Sequence, residues 1–202
     1  MLLPFEYLSK FRTFKWRYQS EKNMIPSSFS EIDIPDYIVS KQKELSDKLD
    51  HTAEVTLIID REIFSTFVKE IQYFYELNLL TEDEVYILKA ELMCLIDDME
   101  YVAKQGKNKG GQNVWLYLSN IDFESEYIYV KGQDFEAAFL DVYLMNSIMS
   151  TDPDVCKIHR EWIDSLRKYS TLISISGELE RKDFFEKQRK LIGRMLKVPV
   201  LE

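Results

Sequence analysis

The chain has 202 residues, of which 46% are hydrophobic and 30% are charged, and its formal net charge is −9. This composition supplies enough apolar material for a single domain over residues 1–202, and it excludes a chain that is disordered over most of its length. The acidic balance disfavours unspecific adhesion of the whole molecule to nucleic acid or to an anionic membrane, and it favours a basic partner.

The sequence has no pattern typical of a membrane-spanning or exported protein. No apolar run approaches the roughly 20 residues that span a bilayer. The first residues also lack a sustained apolar stretch followed by a cleavage site. We therefore expect a cytoplasmic protein.

Residues 1–35 are predicted to form an N-terminal helix and a connector. Four aromatic side chains recur at spacings of four, three and four residues, the period of one helical face: Tyr7, Phe11, Phe14 and Tyr18. The alternation of aromatic and basic residues around Trp16 also permits a strand, and we favour the helix with Phe11 and Phe14 facing a core. The connector is indicated by two prolines and several serines in residues 20–35.

Residues 36–105 are predicted to form a helical hairpin region. After a short amphipathic helix, apolar residues keep a helical phase from Val55 to Phe74, although the β-branched run at residues 55–59 also permits a buried strand. Thr81 and Glu84 have the spacing of a capping box, so the next helix begins there and runs to about residue 103. The short link between the two long helices predicts an antiparallel αα-hairpin. The expected core stripe of the second helix is Val85, Leu88, Leu92, Leu95 and Met99.

The glycine-rich residues 104–112 interrupt this helical pattern. Aromatic and β-branched residues that alternate in polarity follow, and they predict a β-hairpin at residues 113–131. The C-terminal residues 134–197 are predicted to form three helices. These helices run from Asp134 to Met149, from Pro153 to about Ile173, and from Glu178 to about Lys197.

The predicted fold class follows from these elements. We expect a mainly α-helical domain of about six helices, including a long αα-hairpin, with a small β-hairpin insertion. The alternative is an α+β fold, which requires residues 53–59 to form a strand.

Few residues are candidates for catalysis or metal binding. The two histidines, His51 and His159, do not lie in an HExxH, ExxH or HxH pattern. Cys94 and Cys156 do not form a CxxC pair, and we expect two buried free thiols. The serines before Gly177 lack a GxSxG context. We expect no cofactor and no metal, and we favour a non-enzymatic protein, although an active site assembled from scattered residues leaves no local motif.

The distribution of charge is the most informative feature of the sequence. Residues 1–30 have five basic against two acidic side chains, and residues 181–197 have seven basic against two acidic ones. Residues 81–102 instead have seven acidic side chains against one lysine. Both of these end segments are therefore basic, and the middle of the chain is acidic.

The acidic middle predicts a protein that binds a basic protein partner through a helical face, as an inhibitor, immunity or adaptor protein would. The partner would itself be basic or bind nucleic acid. The residues predicted to contact it are Glu82, Asp83, Glu84, Glu91, Asp97 and Asp98.

Two other interpretations of the charges stay open. The protein could bind nucleic acid or phosphate directly, with the β-hairpin beside a helical reader. The residues for that contact are Lys10, Arg12, Lys15, Arg17, Lys104, Lys107 and Lys109. Alternatively, the basic ends complement the acidic middle, within one chain or between two copies.

Overall fold

A computed structural model describes residue 40 and residues 53–108, 110–121, 125–131, 136–142 and 146–195. Within these residues the elements, in chain order, are β1 (Glu54–Asp60), α1 (Ile63–Glu76), α2 (Glu82–Gln105), β2 (Asn113–Ser119), β3 (Ser125–Lys131), β4 (Glu136–Val142), β5 (Asn146–Ser150), α3 (Pro153–Arg167), β6 (Ser170–Leu172) and α4 (Glu178–Arg194). Every helix in these ranges is either too short or too polar to cross a lipid bilayer.

The strands form one six-stranded sheet in the order β5-β4-β3-β1-β2-β6. β1 lies between β2, to which it is parallel, and β3, to which it is antiparallel. Leu57 of β1 is thus opposite Leu116 of β2 and Ile128 of β3. The parallel pair is possible because α1 and α2 supply the long crossover that parallel neighbours require.

Helices cover both faces of this sheet. On one face, Leu57 and Leu116 belong to a core cluster with buried side chains of α1, α2 and α4. On the other face, Ile58 and Tyr117 pack with Ile163 of α3. Because successive side chains of a strand point to opposite faces, β1 and β2 supply both clusters. The acidic helix α2 and the helix α3 therefore lie on opposite sides of the sheet.

Local sequence signals define both ends of α2. At its start, the Thr81 amide donates to Glu84 Oε2 at 2.7 Å, and the Glu84 amide donates to Thr81 Oγ1 at 3.3 Å, which completes the predicted capping box. At its end, Gly106 has a φ of 64° and its amide donates to the Val102 carbonyl at 2.8 Å. A side chain at position 106 would also collide with Ile175. Glycine is needed there for both the backbone conformation and the space.

The helical prediction for residues 53–59 was wrong, because residues 54–60 form the central strand β1. Its β-branched residues Val55, Ile58 and Ile59 are completely buried between helices on the two sheet faces. A strand that is buried on both faces has no polar alternation, so its apolar run resembles a buried helix. Helical residues still outnumber strand residues in the described ranges, so the fold is helix-rich with a sheet larger than predicted.

The prediction of a β-hairpin at residues 113–131 was correct for the two strands and wrong for their pairing. β2 and β3 are separated by β1, so they are not neighbours in the sheet. Periodicity identifies a strand from its own residues, but the partner of a strand is set by contacts that are distant in sequence.

The helix predicted for residues 134–149 is also wrong. Residues 136–142 and 146–150 form β4 and β5, which pair with each other, and β4 continues the sheet from β3. Alanine and leucine in this stretch are good helix formers, and the ladder formed with β3 overrides that preference.

Several helix predictions are confirmed. α2, α3 and α4 begin at the predicted signals, which are the capping box, Pro153 and the residue after Gly177. The predicted end of α3 near Ile173 was wrong, because the helix ends at Arg167 and residues 170–172 form β6, which pairs with β2. α1 and α2 follow each other through a short turn at residues 77–81, and α4 packs against both of them. The described residues contain four helices, against about six predicted for the whole chain, and the helices predicted for residues 1–19 and 36–50 lie outside the described residues, except for residue 40.

Candidate functional site

α2 has a buried inner face and an exposed outer face. The inner face contains the predicted core stripe, all of it buried. Residues at the same helical spacing on the other side are exposed: Asp83, Ile87, Ala90, Cys94 and Tyr101. This outer face is the surface on which a partner could pack against α2.

The first turn of α2 carries the acidic side chains that are available to a partner. Glu82 and Asp83 are exposed, and neither forms an ion pair with another described residue. They are followed by Tyr86 and Ile87, each 51% exposed. This part of α2 therefore combines negative charge that no described residue neutralises with exposed apolar surface.

Glu84 has a structural role in the same turn. Its carboxylate accepts hydrogen bonds from the Thr81 amide at 2.7 Å and from the Thr81 hydroxyl at 2.8 Å. The backbone hydrogen bond, followed by the side-chain hydrogen bond, lowers the pKa of Glu84. Its charge thus holds the helix start together, and we remove it from the set of residues that a partner would contact first.

Asp97 is paired within the chain. Arg189 of α4 donates to Asp97 Oδ1 from Nη2 at 2.7 Å and from Nε at 3.2 Å. The same guanidinium also bonds to Glu100. The hydrogen bonds to Asp97 are the largest cause that raises the pKa of Arg189. A basic residue of the C-terminal segment thus neutralises part of the acidic helix. This contact is expected if the basic ends complement the acidic middle within one chain.

Glu91 and Asp98 complete the predicted acidic set. Both are half-buried and already take part in interactions of the folded chain. Of the six predicted contact residues, the structure therefore leaves Glu82 and Asp83 as the two exposed carboxylates that are neither ion-paired nor used in capping within the described residues.

The predicted nucleic-acid contacts lie mostly outside the described residues, where Lys10, Arg12, Lys15, Arg17 and Lys109 are found. The predicted burial of Phe11 and Phe14 lies there too. Lys104 and Lys107 are exposed at the C-terminal end of α2. A direct contact with nucleic acid stays a prediction.

Three amides of the glycine-rich loop donate hydrogen bonds within the loop. Asn108 Oδ1 accepts from the amides of Gly110 and Gln112 at 3.0 and 3.1 Å, and the Asn108 carbonyl accepts from the amide of Gly111 at 3.0 Å. A phosphate contact at this loop would thus depend on its lysine side chains and not on these three amides.

The two thiols differ in exposure. Cys156 is fully buried, as predicted, its Sγ donates to the Ser150 carbonyl at 3.5 Å, and burial raises its pKa. The prediction that Cys94 is buried was wrong. Cys94 precedes the core residue Leu95 by one position, and a rotation of about 100° per residue places it on the outer face of α2.

Sequence reasoning missed an apolar stripe on the outside of α3. Its exposed side chains are Val155, Ile158 and Trp162, and Tyr169 is exposed in the turn after the helix. The three helical residues recur at spacings of three and four, while Cys156 and Ile163 on the other side of the helix are buried. The sequence signal for this stripe is that apolar residues occupy a wider arc of the helix than one buried face requires.

The described residues do not contain a group of three or more His, Cys, Asp or Glu side chains that could hold a metal ion. His159 lies in α3 beside Arg160, whose guanidinium bonds to Glu136 Oε1 at 3.0 Å.

Scans against protein-family models, curated proteins and solved structures found no match to this chain.

Proposed function

We propose that this protein is a non-enzymatic binding protein of the inhibitor, immunity or adaptor type, and that it takes a basic protein partner on the N-terminal half of α2. The observation that carries the proposal is the first turn of this helix. Glu82 and Asp83 are exposed there without an ion-pair partner among the described residues, directly before the exposed Tyr86 and Ile87.

The combination of charge and apolar surface suits protein recognition. Acidic side chains at the rim of an interface steer a basic partner and raise its association rate. Tyrosine and other large side chains at the centre supply the buried contact area that holds the complex together. Leu77 and Leu79, exposed in the turn before α2, extend the apolar part of the surface beyond the helix.

The proposed surface is smaller than the acidic stretch in the sequence. Asp97 and Glu100 are bonded to Arg189, and Glu84 caps the helix. A partner that displaced Arg189 would have to compensate for the lost ion pair, whereas Glu82 and Asp83 can be contacted without breaking an interaction described in the structure. We therefore centre the surface on these two carboxylates.

The test is affinity capture from cells of the native host, with the full chain as bait. We expect a basic protein to be captured by the wild type and to be lost with the double variant Glu82→Lys, Asp83→Lys. The matched control is Glu178→Lys, Glu180→Lys. It reverses two exposed acids in the first turn of α4, so the change in net charge and in helix-dipole context is the same.

Equal loss of the captured protein in both double variants would show that net charge alone governs the association. Unchanged capture by the α2 variant would remove this helix from the proposed function. Both variants should first be compared with the wild type by urea denaturation, because lysine in a first helical turn also weakens the helix.

A further inference from the structure

The corner between α1 and α2, residues 77–81, is held in one conformation by hydrogen bonds at both of its ends. At the end of α1, the Leu79 amide donates to the Phe74 carbonyl at 3.0 Å. The Asn78 amide donates to the Tyr75 carbonyl at 2.9 Å, and Asn78 itself has a φ of 55°. These two bonds around a left-handed residue form a Schellman motif. Because the capping box fixes the start of α2 on the other side, the backbone of the corner is constrained throughout.

The corner exposes leucine side chains that the turn itself does not require. Leu77 is 43% exposed and Leu79 is 40% exposed, while Leu80 is buried in the core cluster and anchors the corner there. Turn positions are usually occupied by Gly, Pro, Asn, Asp or Ser, so the two outer leucines do not serve the turn conformation. Tyr73, exposed one helical turn before Leu77, lies on the same side of α1. Adjoining exposed apolar side chains on a globular protein mark an interaction surface.

The carboxylates beside the corner select its occupant. Glu82 follows Leu79 by three residues, so their Cα atoms are at most about 11 Å apart and one partner can contact both side chains. Glu82 and Asp83 are exposed, and neither forms an ion pair with a described residue. The complementary occupant is a protein with an apolar contact surface that is flanked by lysine or arginine.

We propose that Leu77 and Leu79 are the apolar anchors that hold the basic protein partner, and that the left-handed Asn78 fixes them in the bound geometry before the partner arrives. This inference rests on the proposed function and extends its interface from α2 to the corner before it. Because the backbone of the corner is already ordered, binding costs less conformational entropy than a flexible loop would. The carboxylates then govern the rate at which the partner associates, and the leucines govern the rate at which it dissociates.

The first experiment separates these two rates. The probe is the protein captured by the wild-type chain, purified and immobilised for surface plasmon resonance with the full chain at low and high salt. The double variant Leu77→Ser, Leu79→Ser should dissociate at least about tenfold faster, with an association rate within about twofold of the wild type. Glu82→Lys, Asp83→Lys should instead slow association and reduce its dependence on salt. The matched control is Leu179→Ser, which removes an exposed leucine of α4 and should change neither rate.

The outcomes distinguish the anchors from the proposed function. If the leucine double variant dissociates at the wild-type rate while the lysine double variant still weakens binding, the anchors are wrong and the acidic surface stands. If binding does not depend on Glu82 and Asp83, the proposed function fails and the anchors fail with it. An equal effect of Leu179→Ser would also overturn the anchors. Circular dichroism of each variant ensures that unfolding is not mistaken for weaker binding.

The second experiment tests the conformation of Asn78. Asn78→Gly keeps the left-handed conformation accessible and should bind the partner as the wild type does. Asn78→Val removes the same side chain but disfavours that conformation, so the partner would have to restore it and the affinity should fall. Equal affinities of the two variants would contradict the role of Asn78 in fixing the leucines.

The third experiment locates the contact without weakening it. A photoreactive benzoylphenylalanine introduced at position 79 of the full chain should cross-link to the partner, and the same residue at position 179 should not. Mass spectrometry of the cross-linked peptide should identify apolar residues of the partner beside lysine or arginine. Similar cross-linking yields at the two positions would overturn the proposed contact.

Discussion

α2 and α3 are both amphipathic helices with a side-chain N-cap, and they differ in what they leave exposed. α2 exposes carboxylates together with Tyr86, Ile87 and Tyr101, and part of its charge is neutralised by Arg189 of α4. α3 exposes a stripe of large apolar side chains that includes Trp162. Charge is visible in a sequence, but tertiary packing decides which charged side chains are available to a partner.

The two cysteines also differ in whether their helices leave them exposed. Cys94 faces outward on α2, and Cys156 faces inward on α3. Each lies within an apolar helical pattern, and a shift of one position along the helix is enough to move a side chain from the core to the surface.

The largest expected effect is therefore a difference in thiol reactivity. In the folded chain, Cys94 should react with an aromatic disulfide reagent at least about a hundredfold faster than Cys156, because Cys156 is buried, its pKa is raised, and the helix must open to expose it. The measurement is absorbance kinetics on the wild type, Cys94→Ser and Cys156→Ala. Two equally fast thiols in the wild type would show that α3 opens easily.

The parts of the fold that the sequence predicts are those set by neighbouring residues. Thr81 and Glu84 satisfy each other within one turn, and the Asp152 side chain accepts from the amides of Asp154 and Val155 beside Pro153. Such caps act over three residues, so they can be identified without knowledge of the rest of the chain.

The sheet could not be predicted in the same way. Residues 54–60 contain apolar residues that are compatible with a helix, and they become a strand because they pair with residues distant in sequence. Residues 136–142 pair with the strands before and after them in the chain, and there the ladders override a helical preference. The pairing of β1 with β2 spans the whole α1–α2 crossover. Contacts of this kind are not encoded in local periodicity.

The candidate site was predicted in part. The sequence correctly predicted a helix with an acidic first turn, in which Glu82 and Asp83 are exposed. Their contact with a partner stays a prediction. It could not indicate that Asp97 is bonded to Arg189, because the two residues lie on different helices. The apolar stripe of α3 was overlooked because apolar helical residues are assigned to a core by default.

The second expected effect separates the role of the acidic helix in stability from its proposed role in partner binding. Arg189→Ala should lower the free energy of unfolding by at most about 1 kcal/mol, since the ion pair is partly exposed and screened by solvent. It should also strengthen the capture of a basic partner, because Asp97 and Glu100 become available. The measurements are urea denaturation and affinity capture.

The control for this variant is Arg160→Ala on α3, which removes a guanidinium bonded to Glu136 and Tyr129. It removes the same charge from the chain but leaves the acidic face of α2 unchanged. If both variants increase capture equally, the effect comes from net charge, and the pairing of Arg189 with α2 is irrelevant to binding.

The smallest expected effect concerns the capping box, which α3 lacks. Because Thr81 lowers the pKa of Glu84 in the folded chain, the ionised carboxylate stabilises the fold at pH values above the ordinary pKa of glutamate, and this stabilisation is lost as the pH falls through the lowered value. The free energy of unfolding of the wild type should therefore exceed that of Glu84→Gln at neutral pH, by less than the effect of Arg189→Ala. The difference should shrink in acid.

The same pH series in a Thr81→Ala background identifies the source of this effect. Alanine removes the hydroxyl that bonds to Glu84 but keeps the backbone amide, which is the larger of the two causes of the lowered pKa. The difference in free energy of unfolding between the chain with Glu84 and the Glu84→Gln variant should therefore become smaller in this background without vanishing. If Thr81→Ala leaves this difference unchanged, the amide alone holds the carboxylate. If the difference does not change with pH, the charge of Glu84 does not stabilise the start of α2.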